Sequence, residues 1–184
     1  MADAKTHRTA LVVIPPDDLW PPVQAIRRAH DRHFERWMPH VTLLYPFRPK
    51  EAFEALLPEL CRACQGVEPF DVTLAEFRFF HHRRESHTLY LAPEPGEAVA
   101  NLQAALAAVA PDCDDTSRHP DGFTPHLSVG QVQGRASTSK LLETLRTAWQ
   151  PVIFTVREVC LIWRNDPPDD LFRVSDRVAL GTRK

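Results

Sequence analysis

A chain of 184 residues with a formal net charge of −2, 43% apolar and 25% charged residues, has ordinary globular composition and room for one hydrophobic core. The slight negative charge excludes a protein that coats nucleic acid by bulk electrostatics, so any bound anion must be gripped by local groups. No apolar run approaches the roughly 20 residues of a membrane span, and the opening MADAKTHRTA carries no secretory apolar segment, so a cytoplasmic protein is expected.

Residues 8–14 form a β-rich apolar run that Pro15 and Pro16 stop. Pro21 and Pro22 suit the first turn of a helix whose positions Val23, Ile26 and Ala29 continue to about residue 34. Residues 40–45 read as the next strand. Phe53, Leu56, Leu57, Leu60 and Cys64 make a second helical stripe, expected to bend or break before Pro58. Residues 70–80 and 87–92 read as two strands joined by a polar turn rich in histidine and arginine. Val99, Leu102, Ala105, Leu106 and Val109 give a clean helix face, and residues 111–122 a polar, mobile loop. Another strand follows. Beyond it, Leu141, Leu142, Leu145 and Trp149 face inward from a helix capped by Ser137 or Thr138. Residues 152–163 and 172–180 end the chain as two long strands around a Pro-Pro-Asp-Asp turn. Irregular alternation with short strand-to-strand turns means antiparallel pairing, hence an α+β fold rather than a doubly wound sheet.

Cys61, Cys64, Cys113 and Cys160 invite a metal or redox reading. The Cys61–Cys64 spacing ends a helical stripe with no strand leading into it, and the other two stand alone without metal-ligand spacing. They read as reduced thiols packed as small apolar residues. His30 and His33 likewise lack an acidic or cysteine partner at ligand spacing. No metal and no cofactor are expected.

One pattern occurs twice. Pro39-His40-Val41-Thr42-Leu43 and Pro125-His126-Leu127-Ser128-Val129 both read proline, histidine, apolar, hydroxyl, apolar, 86 residues apart. Each follows a strand and a helix, so the order strand, helix, histidine strand repeats, and two pseudo-symmetric lobes of antiparallel sheet with flanking helices are expected around a central cleft. Side chains two apart on a strand share a face, roughly 6.5 to 7 Å apart at the backbone. His40 therefore shares a face with Thr42, and His126 with Ser128, while the apolar residues between them point to the core. Each proline can open a strand but not sit in its middle, which places each imidazole at a strand entrance.

Two imidazoles with ordinary pKa near 6.5 suit a reaction in which one proton is removed and another delivered at neutral pH. Two hydroxyls can donate to the non-bridging oxygens of a tetrahedral anion. Cleavage of a phosphodiester fits both, without metal.

The two histidine motifs resemble those of the 2H phosphoesterase superfamily, and the closing strand pair is similar to that of 2′-5′ RNA ligase-like members. The resemblance implies one bilobal α+β domain over residues 1–184. It implies cleavage of 2′,3′-cyclic phosphate ends to 2′-phosphates, or reversible work on 2′-5′ linkages. His40 and His126 carry over as the acid/base pair, with His126 assigned as base and His40 as acid, although near-symmetric motifs leave the direction open. Thr42 and Ser128 carry over as phosphate-oxygen ligands. Phe172 stands where several bacterial members have tyrosine, and the arginine that often follows the second motif is missing. The partners implied are RNA ends or small nucleotides, with no membrane and no obligate protein partner.

Three further residues are candidates for substrate binding. Arg164 can meet a phosphate as a bidentate donor, or pair with Asp166, Asp169 or Asp170. Tyr45 and Phe123 flank the motifs and can stack a base or pack in the core. The turn 81–87, with three histidines and two arginines, is either a phosphate contact or a solvated turn. A module that binds nucleotides without chemistry, and a structural metal protein, are the competing readings.

Overall fold

The computed structural model describes residues 4–118 and 122–181. Its strands form two four-stranded antiparallel sheets. The β-branched run after Arg8 becomes β1 (Thr9–Val13), buried along its whole length. α1 (Trp20–His30) begins with both prolines in its first turn. It stops short of residue 34 because Asp31 is extended and its carboxylate accepts the His33 backbone N–H at 2.9 Å, turning the chain aside. β2 (Val41–Leu44) then pairs antiparallel with β1.

α2 (Phe53–Gln65) continues unbroken past Pro58. Pro58 is exposed, so the carbonyl that loses its helical partner faces water. β3 (Phe70–His81) and β4 (Ser86–Glu94) form the expected hairpin, followed by α3 (Gly96–Ala107), β5 (Leu127–Gln133) and α4 (Arg135–Ala148). The cap of α4 is Gly134, at φ 88°, rather than Ser137 or Thr138. Thr138 lies one turn inside and donates its hydroxyl to the Gly134 carbonyl at 2.9 Å.

The run 152–163 is two strands, not one: β6 (Val152–Val156) and β7 (Glu158–Trp163). Exposed Arg157 separates them, and burial changes there from one-sided alternation to an unbroken buried run. With β8 (Arg173–Ala179), the orders are β2-β1-β7-β8 in the first sheet and β5-β4-β3-β6 in the second, so the chain crosses between sheets at Arg157. The loop after α3 is pinned, not loose, over residues 111–118. Cys113 is buried, Arg48 holds Asp112 through two bonds of 2.8 and 2.6 Å, and Thr116 donates to the Leu43 carbonyl at 2.9 Å. Residues 119–121 of that expected loop lie outside the described residues.

The repeat is real in three dimensions: β1-α1-β2 and β4-α3-β5 share order and pairing. The helices cross over. α1 packs on β5, the other lobe's histidine strand, and α3 on β2 and β4. A Cβ at Gly130 would lie 2.6 Å from the Cβ of His30, so only glycine permits α1 to approach β5 this closely. One apolar cluster joins the inner faces of both sheets, with Leu11, Val41 and Leu43 from one and Leu89, Leu127 and Val129 from the other. It includes the residues between and after the motif positions, so the motifs are anchored by the core they bracket.

Candidate active site

Both histidines stand just before their strands, and both rings are held in the same way. His40 Nδ1 lies 2.7 Å from the Met38 carbonyl, and His126 Nδ1 lies 2.8 Å from the Thr124 carbonyl. A carbonyl only accepts, so each Nδ1 carries the hydrogen and each Nε2 is left for chemistry. The proline between carbonyl and histidine keeps the preceding residue extended, which aims that carbonyl. The tautomer is thus set by a local motif, x-Pro-His, written twice. Strands β2 and β5 touch across the cleft. The rings feel each other: a proton on His126 disfavours one on His40.

Both imidazoles resist protonation. His40 is lowered to about 4, first by burial; the Met38 bond opposes this, while the charges of Arg27 and His126 add to it. His126 is also lowered by burial, against its bond to Thr124. Both are therefore neutral at pH 7 in an empty cleft. An anion bound beside them would favour returning one proton.

The lobe around His40 is filled. Trp37 stacks on His40 at 4.6 Å between centroids and on Phe172 at 3.7 Å, and Tyr45 meets Trp37 edge-on at 5.6 Å. Beneath them a second apolar cluster, Ala10, Val12, Cys160 and Ile162, covers the cleft face of the first sheet. Around His126 the matching face is open. A cavity of about 440 Å³ includes His126, Ser128, Phe80 and Thr88, with Thr116 and Thr124 from the preceding loop. Phe80 stacks on Tyr90 at 4.4 Å and meets His126 edge-on at 5.0 Å.

Thr42 and Ser128 are half-buried on the cleft-facing sides of β2 and β5, paired with Val12 and Tyr90. Arg164 projects over Phe172, 5.6 Å from its centroid, two rings removed from His40. The three aspartates that could have neutralised it are taken: Asp166 by Arg8, Asp169 by Arg173 and Asp170 by Arg36. Arg164 lines a separate groove of about 410 Å³ with Arg8, Lys50 and Trp163. Tyr45 donates to the His7 carbonyl at 3.3 Å; burial raises its phenol pKa, against the opposing charges of Arg164 and Arg36. Phe123 packs against the main core beside the cavity, while its neighbours Gly122 and Thr124 line it.

Several residues near the histidines carried no signal in the sequence reading. Trp37 lay between the helix expected to about residue 34 and the strand expected from residue 40. Phe80 and Tyr90 looked like ordinary strand aromatics. The buried pair of Arg27 and Asp31, 2.9 Å apart, bridges the lobes because Asp31 also accepts from Gln131 on β5 at 3.2 Å. Arg27 lies on an otherwise apolar helix face, which was the one available hint. The cysteines serve packing: Cys64 and Cys113 lie in the main core and Cys160 in the second. Burial pushes the thiols of Cys64 and Cys160 up to about 11. Among the described residues no group of histidine, cysteine or acidic side chains could hold a metal ion, and no helix is long and apolar enough to cross a membrane.

Two antiparallel sheets, each with a strand opened by a histidine and carrying a hydroxyl two residues on, are the arrangement of two-histidine phosphoesterases. Residues 15–168 match the 2′-5′ RNA ligase superfamily, and the chain belongs to that family. It is similar to a Geobacillus kaustophilus protein assigned as a phosphoesterase, 26% identical over 126 residues, covering 66% of this chain and 67% of that one. A similar assignment in Oceanobacillus iheyensis is 25% identical over 137 residues, covering 74% and 77%. The fold matches TT0787 of Thermus thermophilus with a TM-score of 0.64 at 19% identity, covering 96% of this chain and all of that one. It also matches E. coli LigT, solved with 3′-AMP, with a TM-score of 0.63 at 20% identity over 95% and 98% of the two chains.

Proposed function

We propose that this protein opens 2′,3′-cyclic phosphates at RNA ends or on small nucleotides to 2′-phosphates, without a metal ion, and that a 5′-hydroxyl in place of water can attack the same phosphorus, breaking the bond to O3′ and reversibly forming a 2′-5′ bond. Water attacks phosphorus, the bond to O3′ breaks, one histidine takes the water proton and the other gives its proton to O3′. The hydroxyls of Thr42 and Ser128 donate to the non-bridging oxygens as charge builds on them. The observation that carries this reading is the pair of imidazoles, each fixed through Nδ1 and each with a hydroxyl two residues further along the same strand face.

The surrounding charges favour His40 as base and His126 as acid, the reverse of the assignment made from the motifs. Repulsion between the two rings is mutual, but the Arg27 charge disfavours a proton on His40 alone. When the pair holds one proton, His126 keeps it. Nucleotides as ligands are also in keeping with E. coli LigT, whose structures contain 3′-AMP, ATP and NADP+.

The test is incubation with 2′,3′-cyclic mononucleotides, a cyclic-ended oligoribonucleotide and 2′-5′ dinucleotides in the presence of a chelator, with phosphorus NMR of the products. A 2′-phosphomonoester formed at undiminished rate with chelator is the expected result. Tight binding with no product over long incubation would instead make the cleft a nucleotide-reporting module.

A further inference from the structure

Arg164 carries a charge that the acid-base chemistry makes no use of. The groove of about 410 Å³ that it lines also takes in Thr6, Arg8, Lys50, Glu51 and Trp163. Arg8 directly precedes β1 and Arg164 directly follows β7, where Thr9 pairs with Trp163. The Arg164 backbone N–H donates to the Arg8 carbonyl at 2.8 Å, which keeps the two residues side by side. Lys50 comes from the turn ahead of α2, and the Thr9 hydroxyl ties that turn to β1 by donating to the Arg48 carbonyl at 2.7 Å. The groove therefore has a fixed frame. It is also apart from the histidines: His40 lies beyond the opposite end of β1, where Val13 pairs with Val41.

Its cations are held by rings rather than by acids. Lys50 Nζ sits 3.3 Å from the centroid of Trp163, and Arg164 Cζ sits 5.6 Å from that of Phe172. Neither pairs with a carboxylate among the described residues. A ring face orients a cation through its quadrupole but has no net charge, so each cation is placed without being neutralised. Arg8 does pair with Asp166, at 3.0 Å, but both side chains are mostly exposed, and such a pair yields readily to a stronger acceptor. Three cations thus face one lining carboxylate, Glu51, on a chain whose net charge is −2. The groove's volume lies within the roughly 300–1,000 Å³ of sites that take small ligands, so it has room for more than one phosphate. Lys50 and Arg164 rest on different rings, which sets two positive charges apart along it. Guanidinium and ammonium groups so placed are phosphate ligands by geometry and charge.

We infer that this groove is a second anion site, separate from the reacting histidines, for a ligand with two linked phosphate groups, one gripped by Arg8 and Arg164 and the other by Lys50. The inference goes beyond the phosphodiesterase reading and stands whether or not that reading holds.

The experiment titrates pyrophosphate, ADP and, as a control, orthophosphate into isotope-labelled protein in metal-free buffer and follows the indole N–H signals of the four tryptophans by NMR. Trp163→Phe assigns the groove's own signal, and Trp37, stacked on His40, reports the cleft. The Trp163 signal should move saturably with pyrophosphate. Orthophosphate, which meets one of the two charge groups at a time, should bind about tenfold more weakly or worse. Arg8→Gln/Arg164→Gln leaves Lys50 on the reporting ring and should weaken pyrophosphate by about tenfold or more. Lys50→Gln repeats the test if that variant misfolds. ADP binding tighter than pyrophosphate assigns a nucleoside diphosphate, the reverse order assigns free diphosphate, and either supports the site. A response at Trp37 alone, equal affinity in wild type and variant, or orthophosphate binding as tightly as pyrophosphate overturns the inference.

Discussion

The two lobes carry one motif in two settings. At the first, His40 is stacked under Trp37, which is stacked under Phe172, and the sheet face behind them is sealed by small apolar residues. At the second, Phe80 and Tyr90 meet His126 edge-on, and the same face opens into the cavity. What the repeat preserves is the part that does acid-base work: the proline, the carbonyl that fixes Nδ1 and the hydroxyl two residues on. What it has let diverge is the space around that part. The difference teaches that reactive atoms can remain pseudo-symmetric while room for a substrate lies on one side.

The sharpest way to break that comparison is at the rings. His40→Ala and His126→Ala should each lower turnover of a 2′,3′-cyclic substrate by about 10³-fold, with far-UV circular dichroism preserved. A variant of either that retained full activity would dissolve the functional symmetry. The roles can be separated as well. A substrate with sulfur in place of O3′ has a leaving group that needs no proton, so it should restore His126→Ala and leave His40→Ala inactive.

Next in size is the link between the lobes. Asp31, with its side chain 3% exposed, is bound by Arg27 and reached by Gln131 from β5. Asp31→Ala leaves a buried guanidinium uncompensated and should cost about 3–5 kcal/mol. Trp20, Trp37 and Trp163 belong to the first lobe's elements or to the segment leading into its β2, while Trp149 follows α4 of the second. We expect residues 1–184 to act as one domain, so in urea the fluorescence and circular dichroism of wild type and variant should each change in a single coincident transition. Separate midpoints would mean that the lobes fold independently.

The third prediction concerns pH. His40 has a folded-state pKa of about 4 against about 6.5 in an unfolded chain. Above pH 6.5 the ring is neutral in both states and costs nothing. As pH falls from 6.5 to 4 the unfolded chain takes up a proton that the folded one refuses, so stability drops by up to about 3 kcal/mol and then levels. His40→Gln should remove that part of the acid sensitivity. The readout is the difference in urea-unfolding free energy between wild type and variant at pH 7.5 and 4.5, and a difference independent of pH would contradict the burial argument.

Much of this was legible in the residues because it is local. Strand periodicity put His40 with Thr42 and His126 with Ser128, and the repeated order of elements foretold two lobes. Where the reading failed, the deciding partner was far away in sequence. Residues 152–163 look like one strand because both halves are apolar, and only the two sheets they join reveal the break at Arg157. Residues 111–118 look loose because they are polar, yet Arg48 and Leu43 hold them in place. Pro58 looked disruptive because nothing in the sequence says that its helix face is wet. Arg27 and Asp31 look like surface charges on a helix until α1 is laid against Gly130.

The smallest effect tests the unequal space directly, by exchanging the hydroxyl residues. Removing either hydroxyl, as Thr42→Ala or Ser128→Ala, takes away a donor to the reacting phosphate and should cost roughly 10² in kcat. Exchanging them keeps the donors and alters only a methyl group. Ser128→Thr places that methyl at the wall of the open cavity, where nothing need move, so activity should stay within about threefold of wild type. Thr42→Ser removes a methyl from the face shared with Val12, beside the sealed cluster, and should cost about 1 kcal/mol of stability with little change in kcat. If Ser128→Thr proved the more damaging to activity, a substrate group would have to press against Ser128 more closely than the open cavity implies. The room would then belong to solvent, and the assignment of the second lobe as the side that receives the nucleotide would fall with it.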